Sequence, residues 1–329
     1  MVRRRMRLAA LTTLRLGGPA ERLVEAHTEA ELVAAVRERP ALVLSGGSNV
    51  VIADEGVPGT VLLVRTRGIS RDGTQLVVQA GEPWDEVVEY CVGEGLQGFE
   101  CLSGIPGSTG ATPIQNVGAY GQDVSETVEW VRVYDRETDR VETIAAADCG
   151  FEYRTSRFKY RDRWTVLAVA FRLRESEVSG PLRYGEVSRA LGERAPLADV
   201  RATVLGLRRG KGMVIDPGDP DSVSAGSFFT NPILREDEFA ALPGSPPAFP
   251  EPDGRVKTSA AWLIERAGFS RGFGDGRAGI STKHTLALVN RGGATTAELM
   301  ALARTIAAGV HQTFGIQLTP EPVLIGHRW

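Results

Sequence analysis

Glycine constrains this chain more than any other residue type. The sequence carries 38 glycines in 329 residues, against a usual share of ~7%. They gather at 46–47, 93–98, 104–121 and 272–279. Each glycine loses more backbone entropy on folding than any other residue, so clusters of this kind need a reason. Tight turns are one. Close approach of the backbone to a bulky ligand is the other. The longest glycine-rich stretch, 93–121, shows no sustained helical or strand period, yet it holds Phe99, Leu102, Ile105, Ile114 and Tyr120 and is too apolar for disorder. Loops longer than ~12–15 residues without regular structure are usually functional when they are not disordered.

Around these clusters the apolar periodicity predicts a helix over 21–39, strands over 41–44, 50–52, 60–64 and 75–80, and a helix over 85–93. Strands are expected over 127–134, 140–144 and 165–173, a helix-like piece over 199–207, and a loop entering a strand over 223–231. A proline-rich exposed excursion covers 241–253. A helix over 260–267, a strand over 285–290, a long helix over 297–314 and a terminal strand over 320–325 follow. Thr295 and Glu298 have the spacing of a capping box for the long helix. Several strands follow one another with no helix between them, which favours α+β over a doubly wound sheet. The length suits roughly two domains of ~150 residues; boundaries are expected near 66 and near 210.

Composition excludes several classes. Lys and Arg number 38, Asp and Glu 41, for a net charge of -3; that balance argues against non-specific nucleic-acid binding but permits a local anion site. No apolar run reaches the ~18 residues of a membrane span. The basic start, Met1-Val-Arg-Arg-Arg-Met-Arg, is followed by no apolar segment, so a secretory signal is not expected. Cys91, Cys101 and Cys149 lack paired spacing, and the histidines stand at 27, 284, 311 and 327. Neither pattern suits zinc, and an odd cysteine count suits a reducing compartment.

The local motifs allow more than one reading. Ser45-Gly46-Gly47-Ser48-Asn49 lies between two apolar strands. It is an ordinary tight turn or an anion-binding nest of successive amides. It is neither the dinucleotide fingerprint nor a phosphate-binding loop with Gly-Lys-Ser/Thr. Ser103–Gly121 alternates small hydroxyls, glycines and apolar residues, as a planar cofactor with a phosphate tail requires. Tyr153-Arg154-Thr-Ser-Arg157-Phe-Lys159 is a solvated charge run or an anion site. Ser227 sits between glycine and two phenylalanines without the Gly-x-Ser-x-Gly of a hydrolase. Glu321 reads as a solvated tail residue on local grounds.

Six stretches together resemble the UDP-N-acetylenolpyruvoylglucosamine reductase (MurB) family of flavoenzymes. They are LSGGSNVVIAD (44–54), SGIPGSTGATPIQNVGAYGQDV (103–124), FEYRTSRFK (151–159), SAGSFFTNP (224–232), KTSAAWLIERAGF (257–269) and TPE (319–321). They occur in order across almost the whole chain, and the Tyr184 segment resembles the family's first subtype. The resemblance implies an α+β fold: a two-part FAD-binding region of the vanillyl-alcohol oxidase type and a smaller α+β substrate-binding domain. The expected limits are 1–66 and 67–210 for the FAD-binding parts, 211–318 for the substrate domain, and 319–329 for a tail returning to the active site.

It also implies non-covalent FAD, NADPH as hydride donor and UDP-N-acetylglucosamine-enolpyruvate as substrate. By this resemblance Gly46, Gly47, Ser48, Asn49, Gly107, Ser108, Gly110, Ala111, Gln115, Asn116 and Gly121 hold the cofactor. Arg154 faces the substrate carboxylate, Ser227 gives the proton to C2, and Glu321 is their carboxyl partner. Tyr184 covers the UDP, Asn231 also contacts substrate, and Arg208, Arg209 or Lys211 supplies positive charge nearby. Thr109 and Thr112 depart from the commoner family pattern; such polar replacements should be tolerable beside the pyrophosphate. No metal and no nucleic acid are expected; a cytoplasmic monomer in peptidoglycan precursor synthesis is. Two alternatives stand beside this reading: a flavin oxidase of the wider superfamily, which should lack the Arg154, Ser227 and Glu321 set, and a non-catalytic UDP-sugar-binding protein.

Overall fold

The computed structural model describes residues 2–329, with side chains from Arg5 onward. The chain forms two compact units. The first takes the N-terminal residues through Met6, then Pro19–Gly47 and Val57–Gly210; the second takes Arg7–Gly18, Ser48–Gly56 and Lys211–Trp329.

The first unit contains a four-stranded sheet in the order Val2–Arg7, Pro19–Ala26, Val57–Val64, Leu42–Leu44. The last three strands run parallel, with Leu23 opposite Val61 and Leu44 opposite Leu63. Parallel strands covered on both faces read as unbroken apolar runs, and Val61, Leu62 and Leu63 are all buried. The helix expected over 21–39 divides here. Its first part is the strand Pro19–Ala26; only Glu29–Arg37 is helical, capped by Thr28, whose side chain accepts from the Glu31 amide. The cause is visible in the strand. Its buried residues are Ala20, Leu23 and Ala26, three apart, and the first step spans a shift of pairing register between Ala20 and Arg22. A three-residue spacing imitates a helix face.

A five-stranded antiparallel sheet follows, ordered Arg140–Ala145, Val128–Asp135, Trp164–Arg172, Gln75–Gln79, Ile69–Asp72. In the central strand every residue from Thr165 to Phe171 is buried. Trp84, at the start of helix Trp84–Gly93, packs edge-on to Phe99 at 4.8 Å, and Phe99 packs edge-on to Phe171 at 4.9 Å. Such pairs add about 0.5–1.5 kcal/mol each beyond their burial. Helix Leu197–Gly210 and the short helix Gly185–Leu191, which the periodicity did not reveal, share a small core of Leu182, Val187, Val200 and Val204 with Cys101.

In the second unit Ser224–Ser227, Ala287–Asn290 and Ala278–Ile280 make an antiparallel sheet. Helices Ala260–Arg266 and Thr296–Phe314 contribute Leu263, Ile264, Leu299, Ala303 and Ile306 to the same core. The long helix starts with the expected capping box of Thr295 and Glu298 and stops at Gly315, whose φ of 71° is left-handed. The tail strand Val323–Ile325 pairs parallel with Val50–Ile52. Asp54 accepts the Thr296 and Ala297 amides, and the Thr296 hydroxyl donates to the Ile52 carbonyl. The excursion after Ala240 includes a strand, Ala248–Pro250, with all three residues exposed. Both the parallel core sheet and the antiparallel sheets fit the expected α+β class. Among the described residues no helix is long and apolar enough to cross a membrane, and no cluster of His, Cys, Asp and Glu could hold a metal ion.

One buried charge ties the antiparallel sheet together. Asp135 is fully buried and accepts from Arg163 Nε and Nη2, the latter at 2.6 Å, and from the Glu137 amide. The Arg163 hydrogen bonds hold its carboxyl below the usual range. A carboxyl whose folded pKa is depressed contributes stability above its unfolded value, ~3.9, and loses it as pH falls through the folded value. Asp135→Asn should therefore be less stable at pH 7 by about 1–3 kcal/mol, less than a fully buried pair because Arg163 is partly exposed and keeps Glu137. Urea unfolding from pH 7 to pH 2 checks this. The gap between variant and wild type should shrink below pH 4; a constant gap would assign the loss to packing.

Candidate active site

The two glycine-rich loops of the first unit touch backbone to backbone. Strand Leu42–Leu44 ends in Ser45-Gly46-Gly47, and a Cβ built on Gly46 would lie 2.6 Å from the Gly107 Cα. No side chain fits there. Gly47 (φ 61°) and Gly107 (φ 120°) occupy backbone regions that L side chains rarely adopt. The Ser45 and Ser108 hydroxyl oxygens are 2.5 Å apart. Arg65 Nη1 donates to the Ser45 carbonyl at 3.3 Å. The second loop is fixed from behind: the Trp84 amide donates to the Gly107 carbonyl, the Thr109 amide to Glu82, and the Gly110 amide to Ala80. A Cβ on Gly110 would meet the Ala80 Cβ at 2.5 Å. This is a cradle of backbone amides and small hydroxyls from which side chains are excluded, and its residues fit a cofactor carrying a diphosphate.

Thr109 and Thr112, the departures from the commoner family pattern, have internal partners. Both are buried, and their hydroxyls donate to the Glu82 and Thr109 carbonyls. They fasten the loop internally. Ala111 lies in the short 3-10 turn Thr109–Ala111, and Gln115 follows, partly buried.

Beyond Gln115 the loop zips to the segment carrying Arg154. Asn116, at φ 45°, donates from Nδ2 to the Glu152 carbonyl and accepts the Ser125 amide. Ser156 donates to the Ile114 carbonyl. Arg154, itself at φ 54°, donates from Nη2 to the Gly118 carbonyl at 2.6 Å and from Nη1 to the Asn116 carbonyl at 3.4 Å. Arg154 Nη1 also forms an ion pair with the half-exposed Asp123 at 3.8 Å. Lys159 holds the Arg154 carbonyl at 2.8 Å. Carbonyls of the glycine-rich loop and this carboxylate thus fix the position of the guanidinium. Gly118–Ala119 and Gln122–Asp123 form a hairpin whose two turn residues, Tyr120 (φ 51°) and Gly121 (φ 84°), are both left-handed, as a two-residue hairpin turn of this type requires.

Tyr184 caps helix Gly185–Leu191 and stands edge-on to Tyr120 at 5.1 Å, 40% exposed. Arg208 is the inward-facing cation of the expected trio. Burial pushes its guanidinium below the ordinary arginine value, while Tyr120 and Asp85 favour the charged form. Arg209 is exposed, and Lys211 opens the second unit.

Ser48, Asn49, Ser227, Asn231 and Glu321 belong to the second unit. Ser227 ends its strand opposite Ala287, after Gly226 at φ 73°. The Phe228 carbonyl accepts the Glu321 amide at 2.9 Å, and Phe229 bridges Pro320. Ser227 and Glu321 are therefore brought to neighbouring positions on two paired segments. The Val323 amide donates to the Asn49 carbonyl, which joins the second half of the first loop to the tail. Asn231 Oδ1 accepts the Ala260 amide at 2.9 Å, so this oxygen serves the start of helix Ala260–Arg266. Sequence reasoning overlooked Arg65; the available signal was its position directly after a parallel strand, beside the glycine loop. It also overlooked Tyr120 as the partner of Tyr184.

Comparison with known proteins gives the family. An FAD binding domain model matches residues 20–144, and the UDP-N-acetylenolpyruvoylglucosamine reductase C-terminal domain model matches 219–325. The reductase of Thermobifida fusca (strain YX) is 58% identical, with 98% of each chain covered. That of Streptomyces coelicolor is 56% identical over 97% of this chain and 89% of the relative. The crystal structure of the Thermus caldophilus reductase superposes with a TM-score of 0.72 at 26% identity, covering 99% of both chains. With its paired glycine loops, its FAD-binding half and its matching C-terminal half, this chain belongs to the UDP-N-acetylenolpyruvoylglucosamine reductase family.

Proposed function

We propose that this protein is the NADPH-dependent, FAD-containing reductase that converts UDP-N-acetylglucosamine-enolpyruvate to UDP-N-acetylmuramate for peptidoglycan synthesis. The observation that carries the reading is the side-chain-free contact of Gly46 with Gly107, in a chain that matches the reductases over nearly its full length. Bound FAD would supply the hydride-transfer chemistry between NADPH and C3 of the enolpyruvyl group. Gly46, Gly47, Ser48, Asn49, Gly107, Ser108, Gly110, Ala111, Gln115, Asn116 and Gly121 are the residues we assign to hold it. The N-terminal parts, 1–66 and 67–210, are assigned to FAD, 211–318 to the substrate, and 319–329 to the active-site tail.

Arg154 is assigned to the enolpyruvyl carboxylate. A guanidinium fork matches a carboxylate bidentately. Negative charge grows on that side of the substrate as C3 gains hydrogen, so a fixed cation there stabilises the transition state. What supports this role is that the Asn116 and Gly118 carbonyls hold the guanidinium in a fixed position. Ser227 is assigned to deliver the proton to C2, with Glu321 as the carboxyl group that orients or recharges it. A serine hydroxyl is a weak acid and needs a strongly basic carbon or a relay. Tyr184, Arg208, Lys211 and Asn231 are assigned to the UDP-sugar. Its nucleotide substrates favour a cytoplasmic location. All assigned residues come from one chain, so a monomer suffices.

The cofactor is held without a covalent bond in this reading. Cys101, the cysteine beside the flavin loop in sequence, is buried, and burial pushes its thiol up to about 12, so it stays protonated and unreactive. Acid precipitation should release all flavin to the supernatant; yellow colour in the washed pellet would refute this.

Tyr184→Phe should weaken substrate binding by about 0.5–1.5 kcal/mol, the net worth of one hydroxyl contact, and leave flavin reduction by NADPH at the wild-type rate. Stopped-flow absorbance separates the two. An equal fall in both would count against a role confined to substrate.

Ser227→Ala should keep its flavin and its rate of reduction by NADPH. Reoxidation by the enolpyruvyl substrate should slow by ~10²–10⁴-fold, the usual worth of general acid catalysis. Wild-type reoxidation with full flavin content would remove Ser227 as the acid. Loss of flavin would instead make it a turn-shaping residue before Phe228.

A further inference from the structure

We infer that Arg65, together with the Ser45–Ser108 hydroxyl pair, is the charge and hydrogen-bond counterpart of the cofactor diphosphate; this deepens the FAD reading above and rests on it. Strands Leu42–Leu44 and Val57–Val64 run parallel with Leu44 opposite Leu63. Ser45 and Arg65 therefore leave the sheet at the same edge, where the Arg65 amide is fixed to the Ala26 carbonyl. The Arg65 side chain folds back, and Nη1 donates to the Ser45 and Val64 carbonyls, each at 3.3 Å. It is only partly exposed. Both of these acceptors are neutral, and among the described residues Arg65 forms no ion pair. A whole positive charge thus stands against the Ser45 carbonyl, on the peptide that carries the Gly46 amide.

A diphosphate diester carries two negative charges. Backbone amides supply only partial charges, so an uncancelled guanidinium against the same loop is the natural complement. The serine pair has matching chemistry. At 2.5 Å, one hydroxyl donates to the other. That leaves one of the two protons to donate to a further acceptor, and a phosphate oxygen is the acceptor that the loops are shaped to receive. The pair also fastens the two loops, so the donor is fixed before the ligand arrives. The bland alternative is that Arg65 merely braces the Ser45 carbonyl. A brace would support every flavin equally; a charge partner discriminates by phosphate.

Equilibrium dialysis of the full-length chain against FAD, and separately against riboflavin, decides between them. Arg65→Met keeps the length of the side chain and removes the charge. It should weaken FAD binding by ~10–100-fold, the worth of a charge-assisted contact, and flatten the dependence of FAD affinity on salt. Riboflavin binding should be unchanged. Arg65→Lys should recover most of the loss, and Ser45→Ala should show a smaller loss for FAD alone. Equal weakening of FAD and riboflavin by Arg65→Met, or wild-type FAD binding in both variants, would overturn the inference. Failure of the wild-type chain to bind FAD would overturn the functional reading itself.

Discussion

The contact between Gly46 and Gly107 sets how the rest of the cofactor cradle is arranged. At 2.6 Å from a hypothetical Cβ to the Gly107 Cα, there is room for two backbones and nothing else. Overpacking by one methyl in a well-packed region costs about 1–3 kcal/mol, and here the obstructing atom is backbone, which cannot rotate away. The same device recurs nearby. Gly110 lies against Ala80, and Gly81 against the Thr66 backbone. Ala80 directly follows strand Gln75–Gln79, and Thr66 stands two residues beyond strand Val57–Val64, so these approaches tie the segments that leave the two sheets. Both sheets are anchored by burial, Val61 and Leu62 in one and Val78 and Leu167 in the other.

From these approaches a continuous set of bonds runs to Arg154. The loop fixes Ile114, Asn116 and Gly118; their carbonyls take Ser156 and Arg154, and Asn116 returns a bond to Glu152. Strain collects along this path. Asn116, Tyr120 and Arg154 are non-glycine residues at positive φ, and such conformations persist only where surrounding contacts over-determine them. For Asn116 and Arg154 the contacts that over-determine them include hydrogen bonds to the Glu152, Asn116 and Gly118 carbonyls, and Arg154 adds the Asp123 ion pair. The result is a guanidinium held at a fixed position beside the glycine-rich loop.

The legibility of the sequence followed the range of the physics. Elements set by local pattern were readable: the helix after Trp84, the strand through Leu167 and Phe171, and the Thr295–Glu298 cap. Leu23 and Val24 were misread because the strand buries residues three apart across a register shift in the sheet, and no single-strand pattern carries that information. The glycine clusters pointed to close backbone approach, but not to the partner: Gly46 and Gly107 are 61 residues apart in sequence, and only the fold joins them. Thr109 and Thr112 read as polar replacements tolerable beside a pyrophosphate, and the sequence could not name their partners. A buried hydroxyl must find one, and here both donate to loop carbonyls. Arg65 was overlooked because its one signal, a place directly after a strand, gains meaning only when the parallel pairing brings Ser45 beside it.

The course of the chain adds a constraint that motif spacing hides. The second unit is not a continuous C-terminal piece. Leu14, Leu16 and Val51 belong to its core. Thr13 donates to the Ser224 carbonyl, and Asn290 Nδ2 donates to the Leu14 carbonyl. Without 7–18 and 48–56, residues 211–329 would lose three core side chains, the pairing partner of Val323–Ile325, and the Asp54 carboxylate that accepts two amides of helix Thr296–Phe314. Burying three such apolar side chains is worth several kcal/mol at ~1.5–3 kcal/mol each, comparable to the whole ~5–15 kcal/mol stability of a domain. The Ser45–Asn49 motif itself is divided, with Gly47 in one unit and Ser48 in the other. A short glycine loop that is read as one phosphate motif is thus also where the chain passes from one core to the next.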